Sequence, residues 1–330
     1  VAAYRRKEKG PRIVAIGGGN GLSSLLRGLK EYSHNITAVV TVADDGGSSG
    51  ELRRTMGILP PGDIRNCLTA LSTDETLLSQ IFQYRFSEGV GLNGHSLGNL
   101  FITALTEITG SFEDAVAESG RVLAVHGRVL PSTLHDVSLV ADMELPDEIR
   151  KIRVKGESRI PQQGGKVQRV WLEPDNPAAY PPAIQAILSA DLIVVGPGSL
   201  YTSILPNLLV PDLSNALKAS RALKFFVCNV AAQDGETEGY TCGDHVHTLE
   251  QHLGEHVFDL VICNNHYNNE HDSLIRWVEL EQDLDQRYAL YRSNLLDDEH
   301  PWRHDSKKLA AAIMDLFYER TGPLVFKDVV

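Results

Sequence analysis

The chain has 330 residues, 42% hydrophobic and 22% charged, which excludes a disordered, collagen-like or coiled-coil chain and fits one large or two ordinary domains. Its 43 acidic and 31 basic residues give a net charge of -12, which excludes nonspecific binding to nucleic acid, since that rests on excess Lys and Arg. A small anionic ligand stays open, because backbone N–H groups at helix starts hold phosphate without any basic residue.

Residues 1–10 form a basic lead-in around Tyr4-Arg5-Arg6-Lys7-Glu8-Lys9. It reads as a frayed end, or as the cytoplasmic edge of a longer, membrane-anchored chain. Residues 11–330 read as a single domain, and no apolar run in them nears the ~18 residues that cross a bilayer. Arg12 to Ile16 predicts a strand, Gly17 to Gly21 a glycine loop, and Leu22 to Leu29 a helix with Leu22, Leu25, Leu26 and Leu29 on one stripe. Ile36 to Val42 predicts a second strand, ending in Asp44-Asp45-Gly46-Gly47-Ser48-Ser49-Gly50. Strand, glycine turn, helix, strand is the opening of an α/β fold, Rossmann-like and doubly wound on a mainly parallel sheet.

Pro60-Pro61-Gly62-Asp63 precedes a predicted helix at Ile64 to Leu71. Leu97 to Ile108 predicts a helix that turns Leu97, Leu100, Phe101, Ala104, Leu105 and Ile108 inward, and Phe112 to Ala124 predicts another. Between Arg128 and Pro174 we expect a small β-rich insertion, with strands at Val137–Val140, Ile149–Val154 and Val167–Leu172. A helix from Pro182 to Leu188 follows. The runs Leu192–Val195, Phe225–Val230 and Phe258–Cys263 lack alternation, as strands buried on both faces do. Ser306 to Arg320 predicts a last helix, capped by Asp305 and stopped by Gly322. Cys67, Cys228, Cys242 and Cys263 form no C-x-x-C pair and are expected to be buried free thiols of a reducing compartment.

Three strand ends carry the candidate chemistry. Gly18, Gly19, Asn20 and Gly21 let backbone approach a phosphate at a helix start, although Ser24 breaks the strict dinucleotide fingerprint and a structural turn remains open. Asp44 lies 25 residues after Gly19, where a ribose-binding acid belongs. Asp44 and Asp45 running into Gly46, Gly47 and Ser48 read equally as a hard-metal site or a solvent turn. The third loop is Gly196, Pro197, Gly198, Ser199, Leu200, Tyr201, Thr202 and Ser203. Loops at the carboxyl ends of parallel strands converge on one crevice, so a shared anionic site is expected.

Asp63 and Arg65 are an ion pair or ligand contacts, and His95 is a ligand donor or orders the turn before Ser96, the expected cap, and Asn99. Asn229 interrupts an apolar run with no packing role in view. Arg303, just before the last helix, either grips a phosphate or pairs with a surface carboxylate. His245, His247, His252 and His256 read as a solvated helix face rather than a metal site. No P-loop or Tyr-x-x-x-Lys pattern is present, which weakens NTPase and NAD-dehydrogenase readings.

The runs Ala15 to Ser23, Val42 to Gly50, Gly57 to Asn66, Gly94 to Asn99 and Gly196 to Ser203 closely resemble the YvcK-type gluconeogenesis factors of the CofD-like superfamily. That resemblance extends the candidate site to Leu22 and Asn66. It implies a cytoplasmic bacterial protein that binds a nucleotide sugar such as UDP-N-acetylglucosamine and is needed for cell shape and wall-precursor balance on gluconeogenic carbon. The alternative it implies is a metal-dependent transferase of the 2-phospho-lactate type, acting on a nucleoside-diphosphate donor. The expected ligand is thus a small anionic nucleotide, with a divalent metal in the transferase case, and the expected assembly is a homo-oligomer such as a dimer.

Overall fold

The central strands are too apolar to face water on either side, and that property sets the architecture. The computed structural model describes residues 10–73, 77–145, 151–267, 275–281 and 283–322, so the lead-in at 1–9 and the expected strand start at 149–150 lie outside it. In chain order, β1 (Ile13–Gly17), β2 (Ile36–Val40) and β3 (Arg128–Pro131) belong to a seven-stranded parallel sheet. Next, β4 (Ser138–Glu144), β5 (Lys151–Lys155) and β6 (Lys166–Glu173) form a separate antiparallel sheet. Finally β7 (Leu192–Val195), β8 (Leu223–Val227), β9 (Leu260–Asn264) and β10 (Leu290–Ser293) return to the parallel sheet. Every residue of β1, β2, β7 and β9 is buried, the state of strands covered on both faces.

The parallel sheet runs in the order β10-β9-β8-β7-β1-β2-β3. From β1 the chain builds outward through β2 to β3, then returns to β7 on the other side of β1 and builds the opposite way. The strand order therefore reverses between β1 and β7, where Ile13 pairs with Leu192 and Ile16 with Val195. In open α/β sheets the ligand crevice lies outside the carboxyl ends of the strands at such a reversal.

The helices that matter to the site start at these strand ends: α1 (Gly19–Leu29), α2 (Gly47–Met56) and α3 (Gly62–Leu71). They are followed by α4 (Leu77–Gln83), α5 (Leu97–Thr109), α6 (Phe112–Val122), α7 (Pro181–Ser189), α8 (Pro211–Ala219), α9 (Cys242–Leu253) and α10 (Ser306–Thr321). Leu22, Leu25, Leu26 and Leu29 are all fully buried, as their stripe predicts. Asp305 caps α10 by accepting from Lys307 N at 2.8 Å and Lys308 N at 2.7 Å.

Four expectations are corrected. The insertion begins at β4, not at Arg128, because β3 pairs in parallel with β2 on the edge of the main sheet. The run Gly47–Met56 is a helix rather than a loop; only Leu52 supplies an apolar side chain to its buried face, too little for periodicity to register. Helix α5 buries Gly98, Asn99, Ile102 and Thr103, while Ile108 is 78% exposed. Its inward face carries a polar network beside Ile102, so the expected stripe is only partly buried: Phe101 and Leu105 pack on the core, Phe101 edge-on against Phe82. Cys242 and Cys263 are joined as a disulfide between the start of α9 and β9, and Cys67 and Cys228 are free and buried.

Helix α10 crosses α1 at Gly28, where an added Cβ would sit 2.0 Å from the Ser306 carbonyl oxygen and 2.6 Å from Ala310 Cβ. In a free helix Gly→Ala is favourable by about 1 kcal/mol. Here the two helices must separate, so Gly28→Ala should lower stability by about 1–3 kcal/mol in urea unfolding. A gain in stability would mean that α1 and α10 do not touch.

Candidate functional site

Outside β1 and β7 lies a cavity of about 630 Å³, within the usual range of small-molecule sites. Gly18, Gly19, Asn20 and Gly21 line one wall, and Pro197, Gly198, Ser199 and Thr202 the wall beside it. The two loops touch: a Cβ on Gly21 would meet Pro197 O at 2.6 Å. Gly19 has φ +61°, which an L side chain adopts with strain, and it turns the chain from strand into helix. Helix α1 has no side-chain cap and no acid in its first turn. Gly19, Asn20 and Gly21 of its first turn line the cavity with the positive dipole end, and the Gly19 N–H donates to the Asp63 carboxylate. Asn229 has a clear role: its Oδ1 accepts from Gly198 N at 3.0 Å and its Nδ2 donates to Gly198 O at 2.8 Å. Asn229 lines the cavity and fixes the third loop.

A second wall is acidic. Asp44 and Asp63 line it, joined by Glu157 from the single turn that follows β5. Burial and the neighbouring Asp44 charge push the Asp63 carboxyl up to about 6. Burial, then Asp44 and Asp63, push Glu157 to about 8. Burial also raises Asp44, against hydrogen bonds from Gly46 N and Ser49. The guanidinium groups of Arg27 and Arg303 also line the cavity, exposed and in no salt bridge among the described residues. His304 also lines it but adds no charge near neutrality, since burial pulls its ring down to about 4.

The remaining expected residues stand behind these walls. Asp45 turns away, its Oδ1 accepting from Ser158 N at 2.9 Å. Gly46, Gly47 and Ser48 form the start of α2 and do not line the cavity. Leu22 is core. Tyr201 is buried, its hydroxyl 2.7 Å from that of Tyr240. Ser48 Oγ lies 2.9 Å from His95 Nδ1 and accepts from Asn99 Nδ2 at 3.0 Å. Asn99 Oδ1 in turn accepts from Arg65 at 3.0 Å, and Arg65 also donates to Ser96 Oγ and, at 2.8 Å, to Asn66 Oδ1. This buried chain ties the starts of α2, α3 and α5 together beneath Asp44 and Asp63. Ser96 caps α5 as expected, by accepting from Asn99 N at 3.2 Å.

Residues that the sequence did not mark are Arg27, Glu157, Gln233 and Trp302, all lining the cavity. Arg27 looked like an ordinary polar position of an amphipathic helix, and Glu157 sits in the insertion, far from any glycine loop in sequence. Among the described residues no three His, Cys, Asp or Glu side chains are placed to hold a metal ion. Asp44 lines the cavity, whereas the Asp45 carboxylate is taken up by Ser158 N. His245 is buried, its Nδ1 donating to Thr241 O at 2.8 Å, rather than lying on a solvated face.

The acidic wall has a measurable consequence. Glu157 binds its proton more tightly folded than unfolded, so its contribution to stability is full below about 4.5 and is lost as pH rises toward about 8. Glu157→Gln should melt like the parent at pH 5 and above it at pH 8.5. A melting difference that does not change with pH would place Glu157 in solvent.

The family described as 2-phospho-L-lactate transferase CofD matches residues 13–318. A putative gluconeogenesis factor of Nostoc sp. is 52% identical over 326 residues, covering 95% of this chain and 70% of its own. The gluconeogenesis factor of Bacillus subtilis is 46% identical over 320 residues, covering 94% and 99%. A crystal structure of a upf0052 family member from Bacillus halodurans superposes with a TM-score of 0.87 at 42% identity, over 92% of this chain and 99% of that one. With strand order, loops and sequence in agreement over nearly its whole length, the chain belongs to the gluconeogenesis factor family, within the CofD superfamily.

Proposed function

We propose that the cavity binds a nucleoside-diphosphate sugar of the UDP-N-acetylglucosamine kind, and that the chain is a cytoplasmic gluconeogenesis factor that links this ligand to wall-precursor supply and cell shape. The observation that carries the reading is that the start of α1 and the guanidinium groups of Arg27 and Arg303, in no salt bridge among the described residues, line one cavity. A diphosphate matches both, since N–H groups and planar guanidinium forks grip its oxygens. The carboxyl groups of Asp44, Asp63 and Glu157 match the hydroxyls of a ribose or hexose. The role in growth rests on the name that the relatives carry. No helix among the described residues is long and apolar enough to cross a membrane. The transferase alternative would use Asp44 or Asp63 with phosphate oxygens to hold a divalent metal; no step is assigned.

Calorimetry with UDP-N-acetylglucosamine tests the reading, and a chain that binds neither it nor UDP would overturn it. Arg303→Ala should weaken binding about tenfold, roughly 1.4 kcal/mol, and soften its salt dependence. Arg303→Lys should restore only part, because Lys lacks the planar fork. Gly19→Val should weaken binding at least as much with the fold kept. Asp44→Asn should lower affinity while the melting temperature holds; lost melting temperature with normal binding would make Asp44 structural.

A further inference from the structure

We infer that Trp302 is the platform on which the base of the bound nucleotide stacks. The inference rests on the nucleotide-sugar reading of the cavity. Trp302 lines the same cavity as Gly19 and Arg303, and it is 47% exposed. A single exposed aromatic means little alone, but this one is held in place. Arg303 N donates to His300 O at 2.9 Å, and Asp297 N donates to Arg303 O at 3.0 Å. The Asp297 carboxylate accepts from Glu299 N at 2.9 Å and His300 N at 2.8 Å. These bonds close a tight turn around Trp302.

The His300 ring stands perpendicular to Trp302, 5.3 Å away at 89°. Among the described residues no ring or guanidinium lies parallel on the indole. The other two tryptophans differ: Trp171 carries the Arg153 guanidinium 4.7 Å from its ring centre, and Trp277 packs against Tyr267 at 6.1 Å. Trp302 is therefore a flat aromatic surface on a braced turn; the other apolar lining, Pro197, Val230, Ala231 and Ala232, offers no aromatic ring, and the His304 ring is buried. A nucleoside-diphosphate sugar has one flat apolar part, its base. The diphosphate and the sugar hydroxyls each have polar partners elsewhere in the cavity, and the base has this one. Stacking tolerates any base, since every base has a π-face, so Trp302 supplies affinity for a nucleoside rather than a choice among bases.

The test uses the full chain. With Trp171→Phe and Trp277→Phe, Trp302 is the sole tryptophan, and its emission should be quenched to saturation by UDP and by UDP-N-acetylglucosamine but not by N-acetylglucosamine 1-phosphate. In calorimetry, Trp302→Ala should raise the Kd for UDP-N-acetylglucosamine about tenfold, and Trp302→Phe, which keeps a ring, should stay within about threefold of the parent. Circular-dichroism melts of both variants separate lost stacking from lost folding. Quenching by the sugar phosphate alone would put the sugar on the ring and overturn the inference. So would wild-type affinity in Trp302→Ala, with the nucleotide-sugar reading left standing. A parent chain that binds no uridine nucleotide overturns both.

Discussion

The site depends on two short parallel strands, β1 and β7, lying side by side. Their pairing from Ile13/Leu192 to Ile16/Val195 brings two loops far apart in sequence to the same edge of the sheet. Small residues then let the loops meet, as Gly21 does against Pro197. Asn207 fastens the joint from below, its Nδ2 donating to Gly17 O at 2.9 Å and Ser203 O at 2.8 Å. Asn229 does the same from the side. Two amides and one strand pairing thus fix the two glycine-bearing loops that line the cavity.

Beneath the acidic wall the polar network has a different task. Asp63 and Asp44 repel each other, and both are partly buried. A pair of this kind is tolerable only where nearby donors and cations offset it. Arg65 lies within that reach. Burial, and then Arg85, pull its guanidinium down to about 10, so it stays charged at neutral pH. Ser96, Asn99 and Asn66 hold it in place, and Asn99 passes the constraint on to Ser48 and His95. These residues act by keeping the starts of α2, α3 and α5 in register, and so by holding Asp44 and Asp63 still.

How much of this was legible in the sequence follows the physics of each signal. Unalternating aliphatic runs marked β1, β2 and β7 because burial on both faces leaves no other pattern. Glycines marked the first and third strand ends because close approach demands them. The start of α2 was missed, since a helix that meets its neighbours through Gly, Ser and one leucine shows no stripe. Helix α5 was oriented wrongly for the converse reason: its buried face sets the hydrogen-bonded Asn99 and Thr103 beside Ile102, so polar residues stand where a stripe predicts apolar ones. Ser48, His95, Asn99 and Arg65 were marked as polar residues of the crevice, yet sequence has no way to tell a wall from the layer behind it. Glu157 and Trp302 reach the cavity through tertiary folding alone.

The net charge of -12 and an anionic ligand are compatible because the two act at different ranges. Charges spread over the surface are screened beyond about 8 Å at physiological ionic strength. In the proposed reading, a phosphate in the cavity would lie among the start of α1 and the guanidinium groups of Arg27 and Arg303, which line it. The acids that are close, Asp44, Asp63 and Glu157, are those whose pKa values burial raises. With Glu157 near 8, the acidic wall carries less than its full charge at neutral pH, and a protonated carboxyl can donate to a ligand oxygen as well as accept from a hydroxyl. The same crowding that makes the wall costly to the fold therefore makes it less repulsive to a diphosphate. It also leaves the wall able to bond a sugar in either sense, and no arrangement of fully ionised acids at this spacing would do both.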